Sequence, residues 1–126
     1  MGWPIKEPST IYAIRCIENG KVYIGRTQNL ERRLREHLNE LRSGLKDPGG
    51  RKNCGFQRDY DTYGESAFEV YILERAVPPE DAQNREAFWI REYRATNPNF
   101  GYNRSDGIAA RPKTLPIIPG KPKKCW

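Results

Sequence analysis

The chain has 126 residues and a formal net charge of +6, with 37% hydrophobic and 30% charged residues. This length suits one domain with one modest core, and no apolar run approaches the roughly 18 residues that a membrane-spanning helix needs. Five of the six excess positive charges lie in an acid-free tail, at Arg111, Lys113, Lys121, Lys123 and Lys124. A nearly neutral domain with a basic tail is typical of a protein that binds a polyanion, although such a tail can also serve only to keep the chain in solution.

The cysteines give no sign of a disulfide framework. Cys16, Cys54 and Cys125 are widely spaced and form no CxxC pair, so neither paired disulfides nor a zinc knuckle is indicated. The N-terminus leads into charged residues and does not have the pattern of a signal peptide. We therefore expect an intracellular, reducing location, in the cytoplasm or at the nucleoid.

A β-hairpin is the first element that the sequence predicts. Residues 10–17 (TIYAIRCI) are rich in β-forming side chains, and residues 21–25 (KVYIG) form the return strand. Asn-Gly between two such runs is the strongest short-range hairpin signal. A two-residue turn at Asn19-Gly20 would set Glu18 opposite Lys21, Cys16 opposite Tyr23 and Ile14 opposite Gly25. Because side chains alternate along a strand, this register places one set on a common face of the sheet, namely Tyr12, Ile14, Cys16 and Tyr23.

A stripe of leucines predicts an amphipathic helix over about residues 29–43. Its members recur at helical spacing, at Leu30, Leu34, Leu38, Leu41 and Leu45. Arg33 and His37 are i, i+4 neighbours at the edge of this stripe, whereas Arg32 and Arg35 point away from it. The outward pair has the character of a solvated face, but charge at the edge of the core needs a specific reason.

Two more helices and a third strand follow. Aromatic residues at positions 56, 60 and 63 predict a second helix that Gly64 ends, and residues 68–73 predict the third strand. Pro78 and the acidic residues after it predict the start of a third helix that continues to about Arg94. The apolar stripe of this helix consists of Ala82, Trp89, Ile90 and Tyr93, and Glu86 lies within it.

Glu86 is the most informative of these residues. A carboxylate on the inner face of a helix is unfavourable by several kcal/mol unless it is paired or binds a metal. One interpretation pairs it with a buried arginine such as Arg33. The other makes it a metal ligand, since one carboxylate together with water and substrate phosphate oxygens forms an ordinary Mg²⁺ site.

The other candidate residues also allow two interpretations each. Arg33 can lay its stem along the leucines or grip a phosphate with its planar guanidinium. His37 can be structural or can relay a proton near neutral pH. Tyr12 and Tyr23 can be packing residues, or phenols whose pKa, ordinarily about 10, a nearby metal or arginine lowers enough to activate water. Asn103 can orient a group in a site or simply close a turn.

Several short motifs follow one another in a characteristic order. TIY at residues 10–12 and YIG at residues 23–25 are followed by an arginine eight residues after the YIG glycine. The later motifs are YG at 63–64, FEVYILE at 68–74, REAFWIREY at 85–93 and GYN at 101–103. This order, which covers nearly everything from Thr10 to Asn103, resembles the GIY-YIG endonuclease family. It is most similar to the catalytic domains of phage intron-encoded homing endonucleases, with Thr10 in place of the first glycine.

The resemblance implies an α/β (α+β) fold with a small three-stranded antiparallel sheet flanked by helices. It also implies a single divalent metal ion, Mg²⁺ or Mn²⁺, and hydrolysis of a DNA phosphodiester bond. Carried over by position, the catalytic residues are Tyr12, Tyr23, Arg33, His37 and Glu86. We expect Tyr12 to act as general base and Arg33 to steady the scissile phosphate. We expect His37 to support proton transfer and Glu86 to bind the metal.

Contacts to DNA or phosphate are implied for four further residues, Arg26, Arg51, Lys52 and Asn103. Arg51 and Lys52 stand where some homing members carry a histidine, and a basic group can substitute for it. The expected organisation is a flexible arm at residues 1–9, a catalytic domain at 10–106 and a basic, proline-rich linker at 107–126. Because domains of this family depend on an attached recognition domain, a C-terminal DNA-recognition domain in a longer parent protein is expected.

Two alternatives to a homing-type nuclease domain stay open. One is a non-catalytic DNA-binding module that keeps the fold, and the other is an excision-repair or restriction-type nuclease domain of the same fold.

Overall fold

The computed structural model describes residues 7–44 and 55–104, together with the backbone of residues 124–125. In chain order the elements are β1 (Ser9–Cys16), β2 (Val22–Thr27), α1 (Leu30–Arg42), α2 (Gly55–Tyr63), β3 (Phe68–Val77), α3 (Pro79–Glu92) and β4 (Lys124–Cys125). A 3₁₀ turn at Glu65–Ala67 leads from α2 into β3. None of the helices in these ranges is long and apolar enough to cross a membrane.

The strands form one antiparallel sheet in the order β2-β1-β3-β4. The three longer strands confirm the predicted sheet, and β1 begins at Ser9, one residue before the predicted start. The two-residue strand β4, which pairs with Glu69 and Val70 of β3, was not predicted. The rest of the tail assigned to residues 107–126, like the predicted domain boundary before it, lies outside the described residues.

The predicted turn between β1 and β2 is wrong by two residues in its register. Tyr23 pairs with Ile14, where the sequence predicted Cys16. The loop is closed by the Cys16 N–H, which donates to the Lys21 carbonyl at 2.8 Å, so the loop between these two residues is longer than the predicted two-residue turn. A two-residue type I′ turn needs a positive φ at both central residues, and only the glycine of Asn19-Gly20 has one, at 78°. The Gly20 N–H instead donates to the Cys16 carbonyl at 2.8 Å, which closes the longer loop.

The even size of this shift leaves the side-chain faces unchanged, because faces alternate with a period of two. Helix α3 covers one face, where the core includes Ile11, Ala13, Val22, Ile24, Trp89 and Ile90. Helices α1 and α2 cover the other face, where the core includes Tyr12, Ile14, Cys16, Leu41, Phe56 and Phe68, with Tyr23 packed against it. The prediction that Tyr12 and Tyr23 share a face is therefore confirmed, and we call this side of the sheet the tyrosine face.

Helix α1 begins and ends where its sequence predicts. The Asn29 side chain caps it by accepting a hydrogen bond from the Arg32 N–H at 3.0 Å, which satisfies one of the free N–H groups of the first turn. Gly44, with a φ of 74°, follows the last turn, as is usual at helix C-termini. The helix thereby carries Arg33 and His37 along the tyrosine face.

Strand β3 continues four residues beyond its predicted end at Leu73, to Val77. Its pairing with β1 changes register on both sides of Ile11, and Ala76 has a φ of 56°. Such irregularities bend a strand and re-aim its side chains, so β3 can cross the polar stretch after Leu73 and bury Val77 at its end.

Candidate active site

Tyr12, Tyr23 and His37 form a cluster between the sheet and α1, which we call the phenol–histidine cluster. The Tyr12 hydroxyl oxygen lies 2.7 Å from His37 Nε2. The centroid of the Tyr23 ring lies 5.0 Å from that of His37 and 6.4 Å from that of Tyr12. Phe56 of α2 packs beside Tyr23 at 5.7 Å. His37 is completely buried, so the histidine predicted at the edge of the leucine stripe lies inside the core.

Gly25 determines where the Tyr12 ring can lie. The two residues are directly opposite each other on neighbouring strands. A Cβ atom on Gly25 would stand 2.5 Å from the Tyr12 hydroxyl oxygen and 2.6 Å from Cζ, closer than packed atoms approach. The absence of a side chain therefore allows the phenol to lie across β2, which is the edge strand of the sheet. The predicted register, which put Gly25 opposite Ile14, concealed this contact.

Arg33 lies beside the cluster with its guanidinium half-buried. Its Nη1 donates to Glu36 Oε1 at 3.1 Å, and 30% of the side chain is exposed. The neighbouring Arg32 and Arg35 are exposed, as predicted. Glu36 was missed by the sequence analysis as a partner of Arg33, although their i, i+3 spacing on one helix was the signal for it.

Both phenols of the cluster stay protonated at neutral pH. Burial raises the pKa of Tyr12 and of Tyr23 above the ordinary value, and the positive charge of Arg33 lowers it only in part. The predicted lowering by an arginine is thus present but outweighed by burial. A protonated phenol can take a proton from water only if it gives its own hydroxyl proton to another group. For Tyr12, His37 Nε2 is within reach to accept that proton. Tyr12 is 1% exposed, whereas Tyr23 is partly exposed.

Glu86 approaches this region from α3, on the other side of the edge strand. Its Oε1 accepts a hydrogen bond from Arg26 Nη1 at 2.9 Å. The sequence interpretation that paired Glu86 with Arg33 is therefore wrong, because the partner of Glu86 is Arg26. Burial raises the pKa of the Glu86 carboxyl, and Arg26 opposes this. The charge of Glu86 also raises the pKa of Tyr12 and Tyr23. The carboxylate is therefore within electrostatic reach of both phenols around the edge formed by β2.

The donor set at Glu86 fits one kind of metal. In residues 7–44 and 55–104, no group of three or more His, Cys, Asp or Glu side chains could hold a metal ion. A lone, partly buried carboxylate does not make a structural zinc site, which needs four protein ligands. It does suit Mg²⁺, which keeps several waters and takes further oxygens from substrate phosphate. The residues present therefore fit the metal that the resemblance implied.

Asn103 grips the backbone of β2 next to the cluster. Its Nδ2 donates to the Ile24 carbonyl and its Oδ1 accepts from the Ile24 N–H, both at 2.8 Å. Tyr102, one residue earlier, donates from its hydroxyl to Asp59 at 2.6 Å and stacks on Phe56 at 4.9 Å. Both ends of the Asn103 amide thus serve to hold the strand between Tyr23 and Gly25, which favours a positioning role over a direct contact to phosphate.

Comparison with known proteins agrees with this arrangement. Residues 8–103 match the family model described as the GIY-YIG catalytic domain. The chain belongs to the GIY-YIG family. Intron-associated endonuclease 1 of Enterobacteria phage T4 is 33% identical over 99 residues, which are 78% of this chain and 37% of the phage protein. This GIY-YIG domain therefore spans little more than a third of the length of that relative.

Two solved structures resemble the GIY-YIG domain along nearly their entire length. The catalytic domain of the homing endonuclease I-TevI is 32% identical, with a TM-score of 0.63, and the match covers 77% of this chain and 98% of that one. A glutamate-to-alanine mutant of the same domain is 31% identical, with a TM-score of 0.66, and the match covers 82% and 99%. The predicted fold and the predicted relation to phage homing endonucleases are confirmed.

The structure of this GIY-YIG domain brings together most of the predicted site residues. Tyr12, Tyr23 and His37 contact one another, and the charges of Arg33 and Glu86 both act on the pKa of the two phenols. The contact of Glu86 itself is with Arg26. Asn103 bonds the backbone of Ile24 in β2 and does not join this group. Arg51 and Lys52 lie outside the described residues.

Proposed function

We propose that this domain hydrolyses phosphodiester bonds in DNA with a single divalent cation, Mg²⁺ or Mn²⁺, as its cofactor. The observation that carries the proposal is the buried contact of Tyr12 with His37 at 2.7 Å, with Arg33 one turn earlier on the same helix. Glu86 lies across β2 in contact with Arg26. A cation-binding carboxylate, a phosphate-binding guanidinium and a route for a proton thus converge at one edge of the sheet. Together these three functions can support hydrolysis of a phosphodiester bond.

Glu86 is the residue that would hold the cation, which when bound supplies Lewis-acid stabilisation of the charge on the scissile phosphate. Arg33 presents a planar, permanently charged donor to the phosphate oxygens, and Glu36 holds it in place at 3.1 Å. The exposed Arg32 and Arg35 on the same helix offer further contacts to the DNA backbone, where arginine and lysine provide most of the affinity.

The proton of the attacking water is proposed to leave through Tyr12. As the water oxygen forms its bond to phosphorus, Tyr12 accepts the water proton and passes its own hydroxyl proton to His37 Nε2, 2.7 Å away. The bond from phosphorus to the leaving oxygen then breaks, its electron pair goes to that oxygen, and the oxygen takes up a proton from solvent. Since Tyr12 is 1% exposed, water reaches its oxygen only when the phenol–histidine cluster opens locally.

We further propose that the domain works within a longer protein that carries a separate, C-terminal DNA-recognition domain. The phage T4 relative, which is much longer than the matched region, supports a place within a longer protein. Because the proposed substrate is DNA, the proposed place of action is inside the cell, in the cytoplasm or at the nucleoid.

Cleavage of a supercoiled plasmid in Mg²⁺ or Mn²⁺ tests this function. We expect the wild type to cut, and Arg33→Ala and Glu86→Ala to lose roughly 100-fold or more in rate, as enzymes do when a transition-state donor is removed. Arg42→Ala is the matched control, because Arg42 forms a 2.9 Å ion pair with Glu65 outside the site. This variant should cut at close to the wild-type rate. If both site variants cut like the wild type, the site is misassigned. If the wild type is inactive with both metals, the non-catalytic module is the better description.

A further inference from the structure

The Arg26–Glu86 ion pair occupies the carboxylate to which the proposed function assigns the metal. Arg26 Nη1 lies 2.9 Å from Glu86 Oε1, and 40% and 22% of the two side chains are exposed. The partners come from different elements, β2 and α3, and lie 60 positions apart in the chain. A divalent cation at Glu86 would therefore meet a positive charge that is already in hydrogen-bond contact with its ligand.

Two other acidic side chains of this region, Glu36 and Glu74, have hydrogen-bond partners of their own. Glu36 accepts a hydrogen bond from Arg33, and Glu74 accepts from Arg85 and Trp89 at 2.7 and 2.8 Å. The ranges that the structure describes contain no three-ligand metal cluster. The cation and the guanidinium of Arg26 must therefore compete for the same carboxylate, because like charges placed together on one ligand repel each other.

Arg26 is also well placed for a second partner. It lies on the edge strand directly after Gly25, and its side chain, 40% exposed, leaves β2 on the α3 face rather than on the face of Tyr12. A guanidinium exchanges readily between a carboxylate and a phosphate, because both present paired oxygens to its donors. A DNA phosphate at the β2 edge would offer the exposed guanidinium of Arg26 such an alternative.

We infer that Arg26 is the resident counter-ion of Glu86 in the DNA-free protein, and that it exchanges this carboxylate for a DNA phosphate when a divalent cation binds. The inference rests on the proposed function, because it takes Glu86 as the metal ligand. It makes metal and DNA binding cooperative: a phosphate that draws Arg26 away exposes Glu86 to the cation, and the cation releases Arg26 to the phosphate. By linkage, each ligand raises the affinity of the other by the same factor.

Titration of the full 126-residue chain with Mn²⁺ in the absence of DNA, followed by electron paramagnetic resonance of the free ion, tests the inference. We expect Arg26→Gln to bind Mn²⁺ roughly three- to tenfold more tightly than the wild type, because a competing cation has been removed. Arg42→Gln, which breaks a pair of the same 2.9 Å length at Glu65, should change the affinity by less than about twofold. An Arg26→Gln affinity equal to or below that of the wild type would overturn the inference.

Two further variants separate the possible causes. Arg26→Lys keeps the positive charge, so its Mn²⁺ affinity should stay near that of the wild type, and tight binding like that of Arg26→Gln would refute charge competition. Glu86→Gln should abolish Mn²⁺ binding. If Glu86→Gln binds Mn²⁺ as the wild type does, the metal assignment within the proposed function fails, whereas an unchanged Arg26→Gln leaves that assignment intact. Thermal unfolding curves establish that each variant is folded at the titration temperature.

Discussion

The hydroxyl of Tyr12 is the atom on which the proposed chemistry depends most. Burial keeps the phenol protonated at neutral pH, and His37 Nε2, 2.7 Å away, is the group that can accept its proton. Loss of this hydrogen bond between two buried side chains costs about 1–3 kcal/mol. The same contact therefore serves stability and proton transfer.

Tyr12→Phe is expected to slow single-turnover plasmid cleavage by roughly 100-fold or more, the usual contribution of a general base, and to lower the free energy of unfolding by about 1–3 kcal/mol. Tyr60→Phe is the matched control, since the Tyr60 hydroxyl bonds Glu65 at 3.0 Å outside the cluster, and it should leave the cleavage rate nearly unchanged. A larger loss of rate in Tyr23→Phe than in Tyr12→Phe would show that Tyr23, the more exposed phenol, is the general base instead.

Gly25→Ala tests the space that Tyr12 needs. The added Cβ would stand 2.5 Å from the Tyr12 hydroxyl, so the ring must move away from His37 or the strand must shift, at a cost of about 1–3 kcal/mol. We expect both lower stability in urea unfolding and a loss of cleavage activity at a temperature where the variant is folded. Gly44→Ala, at a positive φ but with nothing within 4 Å of its Cβ, should lower stability alone. Wild-type activity in Gly25→Ala would contradict this role.

Single residues differ in how far the sequence could identify them. Glu86 stands out as a charge within an apolar stripe, and Arg33 and His37 stand out at the edge of another, so all three could be selected from periodicity. The side chains that they contact could not be identified in this way, apart from Glu36, which is three residues from Arg33 on the same helix. Arg26 meets Glu86 only because β2 and α3 pack together, and no local pattern encodes that contact.

Strand β2 is held in place from both sides, by β1 in the sheet and by the segment at residues 101–103. Gly101 bridges to Val22, and a Cβ on Gly101 would stand 2.4 Å from the Ala95 Cα. Asn103 then bonds both backbone groups of Ile24. This clamp fixes the strand that carries Tyr23 and Gly25.

Asn103→Asp distinguishes a clamp from a phosphate contact. The substitution keeps an acceptor for the Ile24 N–H but turns a carboxylate oxygen toward the Ile24 carbonyl, so we expect a loss of about 1–3 kcal/mol in the free energy of unfolding. Asn103→Ala should lose a similar amount, measured by urea unfolding. If Asn103→Ala weakens binding to a DNA duplex with no change in stability, the residue acts as a phosphate ligand instead.

The elements themselves were predictable where local chemistry determines them. Helix α1 is bounded by an Asn cap and a glycine, and both signals are visible in the sequence. The hairpin register was not predictable from Asn-Gly alone, because the turn type depends on the φ of Asn19, which the longer loop leaves negative. The extension of β3 through Ala76 was missed for a similar reason, since a strand irregularity has no sequence signature of its own.

The fold as a whole depends on buried phenols being neutral. Burial raises the pKa of Tyr12 and Tyr23, raises that of Tyr93 to about 12, and with a hydrogen bond to Asp59 raises that of Tyr102. In the unfolded chain these groups titrate at about 10. Above that pH the unfolded chain loses protons that the folded protein retains, so stability is complete below about pH 10 and falls as the pH rises further.

Urea unfolding between pH 8 and 11.5 tests whether stability falls as the pH rises above 10. We expect the free energy of unfolding to change little up to about pH 10 and then to decrease by up to about 1.4 kcal/mol per pH unit for each such tyrosine. In Tyr102→Phe one of these groups is removed, so the decrease above pH 10 should be less steep. A stability that stays constant to pH 11.5 would contradict the burial of these phenols.

In the proposed function, Glu86 holds the cation at the β2 edge while a phosphodiester bond is broken there. The most direct measurement is the single-turnover rate at which supercoiled plasmid is nicked in Mg²⁺ by the wild type and by Glu86→Gln, a substitution that removes the charge and keeps the shape. We expect nicking by the wild type that EDTA stops, and a rate in Glu86→Gln lower by roughly 100-fold or more. Equal rates in the two proteins would contradict a role for Glu86 in holding the cation.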